Sequence, residues 1–462
     1  MWGIKIDRES ELPLWRQIYQ AVSERILSGE IKSNEVLPST RELAGILAVS
    51  RNTVCQAYDM LITEGYLISR QGAPTHVAAG LSLEKTPGLS LRTDNKAAKT
   101  FDADFRTGKP DLRLFPRFLW QQLNNKALEE LQLDQFGYTG PQGYPRLLGE
   151  IAAWLYRSRG LKVDPVNIFI TAGATHALHL ATGLLCGNKG GIYIEDPCHT
   201  GMLETFLQKG CQVIPVPVDE QGIQTEHLEK KNNACAIYVT PSHQFPMGGI
   251  LPATRRAKLM RFAKDNDLFV IEDDYDSEFR YSGEPIAPLY NMDPQRVIYV
   301  GTFSKILFPA LRIGYVILPG QFHKSWKSLR THADVQNPPF QQAALAEFMA
   351  ARKLDRHVRK MRRVYSERRK LMLSELENAW GDSFRVMGDE AGLHLAIEFP
   401  GLRFDDTFRK RCLENSINIT PVENHCIQKG RHLNKLLLGY GHLSHEEIKK
   451  GVGKLKKVIQ DY

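Results

Sequence analysis

Long hydrophobic runs are missing from this chain of 462 residues. No window approaches the roughly 18 consecutive apolar residues of a membrane-spanning helix. The opening MWGIKIDRES also lacks the apolar core of a secretory leader, so a cytoplasmic protein with no membrane partner is expected. Cysteine is scarce: the seven residues, an odd number without CxxC or Cys/His ligand spacing, argue against a disulfide framework and against any metal site. There is no GxxxxGK[ST], no GxGxxG after a strand, no HExxH and no GxSxG. P-loop, dinucleotide-binding, zinc-protease and serine-hydrolase chemistries therefore drop out. Internal repeats and low-complexity tracts are also absent.

What is present is the composition of a soluble globular protein, 42% hydrophobic and 24% charged, long enough for two or three domains. The net charge of +8 invites a nucleic-acid partner only if it is located along the chain. Residues 1–78 hold eight Lys/Arg against nine Asp/Glu, whereas residues 351–370 hold ten basic residues against two acidic ones. The latter stretch reads first as a solvated helix face and second as a phosphate-tracking surface.

Residues 12–78 read as three helices and a hairpin. Ser39 and Glu42 make a capping box ahead of an apolar face of Leu43, Ala44 and Leu47. After a short turn, Ser50 caps a second helix faced by Val54, Ala57, Tyr58 and Leu61. This is the layout of a helix-turn-helix. Its second helix opens with Arg51, Asn52 and Thr53, at the end that meets base edges, where arginine can read guanine and asparagine adenine. Arg41 on the preceding helix suits a phosphate, and YLISRQGAPTHV predicts a strand-turn-strand wing that carries Arg70. The stretch 13–77, with LPSTRELA, VSRNTV and AYDMLITEGYL, resembles the winged helix-turn-helix of GntR-type bacterial regulators. It departs from them at SNEVLPS and at the Ala-Pro of the wing tip. Residues 79–105 show no sustained period and read as a linker.

From residue 106 to the end, apolar strands alternate with helical stretches, the pattern of an α/β domain around a mostly parallel sheet. Five polar clusters each follow a strand: NIFIT runs into AGATHAL, GIYIE into DPCHTG, AIYVT into PSHQFPMGG, LFVIE into DDYDSEF, and VIYVG into TFSK. Ligands of open α/β sheets bind beyond the carboxyl ends of strands, so five such clusters point to one site. Gly173, Ala174 and Thr175 at a helix start, with Thr302 and Arg312, suit a phosphate. Lys305 suits an amine that condenses with an aldehyde. Asp273 suits a carboxylate that keeps a pyridine nitrogen protonated, and Tyr275 can donate to the phenolic oxygen of the same ring.

This region resembles a fold-type I aminotransferase domain dependent on pyridoxal 5′-phosphate. The order of the two parts resembles the MocR subfamily of GntR regulators, through FGYTGPQGYPRLLGE, TAGATHAL, PSHQFPMG, IEDDYDSEFRY and GTFSKILFPALRIG. The resemblance implies a multidomain chain, with a mostly helical winged domain over 1–78, the linker, and a cofactor-binding domain over 106–462. It also implies that Lys305 is the internal-aldimine lysine, that Tyr138 reaches the phosphate of a second subunit, and hence a homodimer with a shared site. Three departures bear on the ligand. EDPCHTG has His199 where a tyrosine commonly stacks on the ring. PSHQFPMG leaves His243 or Gln244 to take the polar role of an asparagine. Leu437 falls where related enzymes place a carboxylate-gripping arginine, with Arg431 nearby.

Two functions are compatible with these residues. One is a regulator that binds a duplex DNA operator and senses pyridoxal phosphate or an amino compound, controlling vitamin B6 or amino-acid metabolism genes. The other is a working aminotransferase with a DNA-binding appendage.

Overall fold

A computed structural model describes residues 3–81, 100–187, 190–388 and 391–462. It divides into two units, Met1–Ala98 and Lys99–Tyr462. Most of the expected linker lies at 82–99, outside the described residues.

In the first unit, α1 (Leu14–Leu27), α2 (Thr40–Leu47) and α3 (Arg51–Thr63) precede a hairpin of β1 (Leu67–Ile68) and β2 (His76–Val77). The strands pair antiparallel with Leu67 opposite Val77. Both capping signals form: Ser39 and Glu42 exchange a full capping box, and Ser50 accepts from the Thr53 N–H at 3.1 Å. Between the two helices Ala48 adopts a left-handed conformation at φ 52°, which makes the tight turn. Ile18, Val22, Ile26, Leu43, Val54, Ala57 and Leu61 are fully buried and form the core of this unit, so its polar helix starts face outward.

The second unit begins earlier than 106. β3 (Ala103–Asp104) pairs in parallel with β14 (Ile417–Asn418), and Phe105 is completely buried in the C-terminal core. The strand is only two residues long, so the brief alternation of Phe101, Ala103 and Phe105 is too short a pattern to set it apart from the expected linker. The main sheet holds β4 (Ile168–Thr171), β5 (Gly191–Asp196), β6 (Gln212–Asp219), β7 (Gly222–Ile223), β8 (Ala234–Val239), β9 (Phe269–Asp274), β10 (Val297–Thr302) and β11 (Gly314–Ile317). Their order is β4-β11-β10-β9-β8-β5-β6-β7, and β10, β9, β8, β5 and β6 run parallel. One face packs on α5 (Pro145–Arg159) and on α10 (Pro339–Ala350), through Trp154, Leu345 and Phe348. The other face packs on α6 (Ala174–Cys186), through Ala177, Leu178 and Ala181. The remaining helices are α4 (Arg117–Glu130), α7 (Thr200–Gln208), α8 (Ala253–Asp265), α9 (His323–Ala333), α11 (Lys353–Trp380), α12 (Asp406–Glu414) and α13 (His445–Gln460).

A smaller antiparallel sheet of β12 (Arg385–Met387), β13 (His394–Glu398), β16 (Lys435–Gly439) and β15 (Thr420–Pro421) carries a second core with α11 and α13.

Two expectations change. Cys186 and Cys235 form a disulfide with Cα atoms 5.6 Å apart, although no framework was expected. Their separation of 49 residues carries no signal until Gly191 pairs with Ala234 and brings the end of α6 beside β8. The basic stretch on α11 is not simply a solvated face. Arg368 is buried and grips Asp111 at 2.6 Å, and Arg362 donates to the Glu278 carbonyl at 2.9 Å. No helix among the described residues is long and apolar enough to cross a membrane.

Candidate functional site

The alternation of side chains along β9 sorts the run IEDD between the two faces of the sheet. Glu272 turns to one face, where it accepts from the backbone N–H groups of Leu289 and Tyr290 at 2.8 and 3.0 Å. Asp274 is on that face too, paired with Arg159 of α5 at 2.7 Å and bonded to Tyr299. Asp273 turns the other way into a cavity of about 240 Å³ at the carboxyl end of the sheet. Only one of these three carboxylates therefore faces ligand space. The other two hold the fold.

Lys305, Asp273, Tyr275, Thr302, Ser304, Arg312, Ala174, Thr175 and His199 all line this cavity, although they come from four separate strand ends. Lys305 follows β10, and its Nζ donates to the Gly108 carbonyl at 2.7 Å. Gly108 adopts φ 68°, a backbone that disfavours any side chain, and a Cβ there would also sit 2.8 Å from that nitrogen. Burial lowers the Lys305 ammonium from its ordinary range, against the opposing pull of Asp276 and Asp273. Burial likewise pushes the Asp273 carboxyl up to about 7. One of its oxygens accepts from Tyr238 at 2.7 Å, while Oδ1 is buried with no hydrogen-bond partner among the described residues. A buried carboxylate oxygen left bare is costly, and a cationic N–H in the cavity would satisfy it.

Gly173 caps α6 with φ 88°. A Cβ there would come within 2.9 Å of the Arg312 guanidinium, which packs on this turn and bonds the Ala172 carbonyl. Arg312 itself adopts φ 50°, a left-handed backbone that a non-glycine residue holds only under strain from its surroundings. Thr302 hydrogen-bonds Ser304, and with the start of α6 these groups form a cradle of N–H, hydroxyl and guanidinium donors for an anion.

His243 and Gln244 are placed differently from expectation, for neither lines the cavity. Gln244 is fully buried and spends its amide on the loop: it donates to the carbonyls of Pro197 and Phe245 at 2.9 and 2.6 Å and accepts from the Met247 N–H at 3.0 Å. The residue that reaches the cavity from this loop is Phe245. His199 lines the cavity, caps α7 by accepting from the Gly201 N–H at 3.1 Å, and sits 5.1 Å from the Phe245 ring. Tyr138 is 89% exposed and is not among the residues lining the cavity of its own chain. Leu437 is fully buried on β16 in an apolar cluster with Phe245 and Met247, and Arg431 is exposed. Sequence reasoning missed Tyr238, Phe245, His394 and Gly108. Tyr238 and Phe245 carry only the signal of core residues.

In the first unit Arg41, Arg51, Asn52 and Arg70 are exposed. Arg51 lies at the start of α3, with Nε 3.4 Å from the Thr40 hydroxyl. Ser50 and Thr53 share a 2.8 Å hydroxyl contact within the cap, which already uses part of their hydrogen-bonding capacity.

A winged helix-turn-helix joined to an α/β domain with a lysine, an aspartate and an anion cradle at its strand ends is the class these features define. Residues 14–77 match the family of bacterial regulatory proteins of the gntR type, and residues 115–435 match the aminotransferase class I and II family. The chain is 31% identical to a probable rhizopine catabolism regulatory protein, MocR, of Rhizobium meliloti, over 98% of this chain and 95% of that one. It is 32% identical to the pyridoxine biosynthesis transcriptional regulator PdxR of Corynebacterium glutamicum, over 93% of this chain and 92% of that one. Among solved structures, an archaeal alanine:glyoxylate aminotransferase superposes with a TM-score of 0.73 at 29% identity, covering 79% of this chain and 92% of that one. The chain belongs to the MocR subfamily of GntR-type transcription regulators, whose larger domain has the aminotransferase class I and II fold.

Proposed function

We propose that this regulator binds duplex DNA as a homodimer in the cytoplasm and holds pyridoxal 5′-phosphate at Lys305. Its signal is then either the cofactor itself or a primary amine that carries no carboxylate. The observation that carries the reading is the bare, buried Oδ1 of Asp273, in the same cavity as a desolvated Lys305 and an arginine-backed anion cradle.

When bound, pyridoxal phosphate supplies an aldehyde for amines and a ring that withdraws electrons. Asp273 would hold a proton on the ring nitrogen, while Tyr238 occupies its second oxygen and fixes its rotamer. Arg312, Thr302, Ser304 and the start of α6 would bind the phosphate, and His199 and Phe245 would flank the ring. Lys305 supplies the amine, and the Gly108 carbonyl keeps it inside the cavity. Tyr138, exposed on its own chain, suits a contact with the site of a second subunit.

The preference for an uncharged tail comes from the inventory of cations. Among the described residues lining the cavity these are Lys305 and Arg312, both committed to the cofactor. Arg106 borders a neighbouring cleft, but its guanidinium donates to Asp104 in three hydrogen bonds of 2.8, 3.1 and 2.7 Å. A carboxylate entering beside Leu437 would be desolvated without a partner. Amino-acid transamination, the second function, is disfavoured for the same reason.

A ligand shifts a two-state regulator only by its differential affinity for the two states. The test is therefore coupling: an operator selected from random duplexes by the intact protein is titrated with and without pyridoxal phosphate. A vitamer-dependent change in operator affinity that disappears in Lys305→Ala supports the reading. An identical response in both proteins contradicts it.

A further inference from the structure

His243 and Asp276 lie outside the cavity, fully buried behind Tyr275, which lines it. His243 Nδ1 is 3.0 and 3.1 Å from the two Asp276 oxygens and 3.0 Å from the Tyr275 hydroxyl. A ring nitrogen holds either a proton or a lone pair, never both. Facing a carboxylate, Nδ1 must carry the proton and donate it to Asp276. It then has nothing with which to accept the Tyr275 O–H. The tyrosine oxygen faces an N–H, and its own proton must be given to something else.

The surroundings reinforce this assignment. The groups that face His243 are Asp276 and Tyr275 from the turn after β9, the Gly388 carbonyl, and His394 of β13, whose ring centroid is 5.1 Å away. Burial opposes a charge on His243, but Asp276 and the Gly388 carbonyl outweigh it and raise the imidazole above its ordinary range. His394 goes the opposite way, lowered by burial and by His243, with Nε2 bonded to the Pro246 carbonyl at 3.1 Å. Gly392 seals the pair: a Cβ there would fall 2.1 Å from the His243 ring and 2.6 Å from Asp276.

We infer that His243 and Asp276 are positioning residues that force the Tyr275 hydroxyl to act as a donor into the cavity. They thereby set the pH at which the cofactor bound at Lys305 changes its absorbance. The inference rests on the cofactor reading above. By donating to the phenolic oxygen of the ring, Tyr275 stabilises negative charge there without help from the Lys305 nitrogen. That nitrogen then releases its proton at lower pH, and losing the donor moves the midpoint up.

The intact protein loaded with pyridoxal phosphate is titrated with acid and base while its visible absorbance is recorded. Tyr275→Phe should raise the midpoint by about one pH unit, a tenfold change. His243→Gln should raise it by about half a unit or more, and the double variant should go no further than Tyr275→Phe alone. If His243→Gln fails to fold, Asp276→Asn carries the same expectation. Donor atoms of His243, Asp276 and His394 also lie within 4.8 Å of one another, so the wild type is repeated with a chelator. An unmoved midpoint in His243→Gln, additive shifts, or a chelator-dependent midpoint would each overturn the inference alone. A wild type without any pH-responsive absorbance would remove the cofactor reading as well.

Discussion

The two units build their sites in opposite ways. The helix-turn-helix surface proposed to meet DNA is local: Ser39, Glu42, Ser50, Arg51 and Asn52 lie within 14 positions of one another, are exposed, and are set by two helix caps. The cavity is assembled from Gly108 to His394, and its key groups are buried with ionisation shifted by desolvation. A local, solvated site tolerates change one residue at a time. A buried site assembled from distant strand ends depends on each glycine that lets the chain approach.

That contrast is most sharply tested at the cradle. Gly173→Ala places a methyl within 2.9 Å of Arg312 at a positive φ, which disfavours any L side chain. The cofactor affinity of this variant, from absorbance titration, should fall by about a hundredfold or more, as expected when a charged contact is displaced. Next in size, Arg51→Ala should weaken operator binding by about 1–3 kcal/mol while leaving the cofactor spectrum intact, as anisotropy and absorbance on one sample would report. Loss of both properties in either variant would break the separation of the two sites.

A smaller effect concerns Asp273. Its folded carboxyl titrates at about 7, above the ordinary range because of burial, so the folded state binds a proton that the unfolded state has already released. The stability contributed by that proton is present at acid pH and is lost as pH rises from about 4 through 7. Asp273→Asn should therefore melt higher than the cofactor-free wild type at pH 8, by a few degrees, with the gap closing towards pH 4. The same variant should bind pyridoxal phosphate more weakly. Smallest is Ser50→Ala, which removes the cap of α3 and should cost about 1 kcal/mol in chemical denaturation of the first unit.

How much of this was legible in the sequence follows the same divide. The helix-turn-helix could be read almost residue by residue, because caps and apolar spacing are short-range signals; Ser39, Glu42 and Ser50 do what their spacing predicts. The strand-end rule found Lys305, Asp273, Tyr275, Thr302 and Arg312, which do line one cavity. It misassigned His243 and Gln244, since a rule that looks for polar residues after a strand cannot tell which of them turn inward to brace the loop. Phe245 took the position facing the cavity instead. Tyr238 sits inside β8 and is indistinguishable from core until the pleat puts it beside Asp273. His394 arrives from the smaller sheet, and Gly108 from a segment close to the expected linker, so only the folded chain brings them together. Leu437 is the reverse case: a departure noticed in the sequence acquires its meaning from the apolar cluster around it.

The central claim is that Lys305 and Asp273 hold pyridoxal phosphate between them, and the most direct measurement is an absorbance titration of the purified protein with that vitamer. The account predicts a saturable new absorbance band at one equivalent per chain, abolished in Lys305→Ala and weakened in Asp273→Asn. The same band at the same stoichiometry in Lys305→Ala, or none in the wild type, would contradict it.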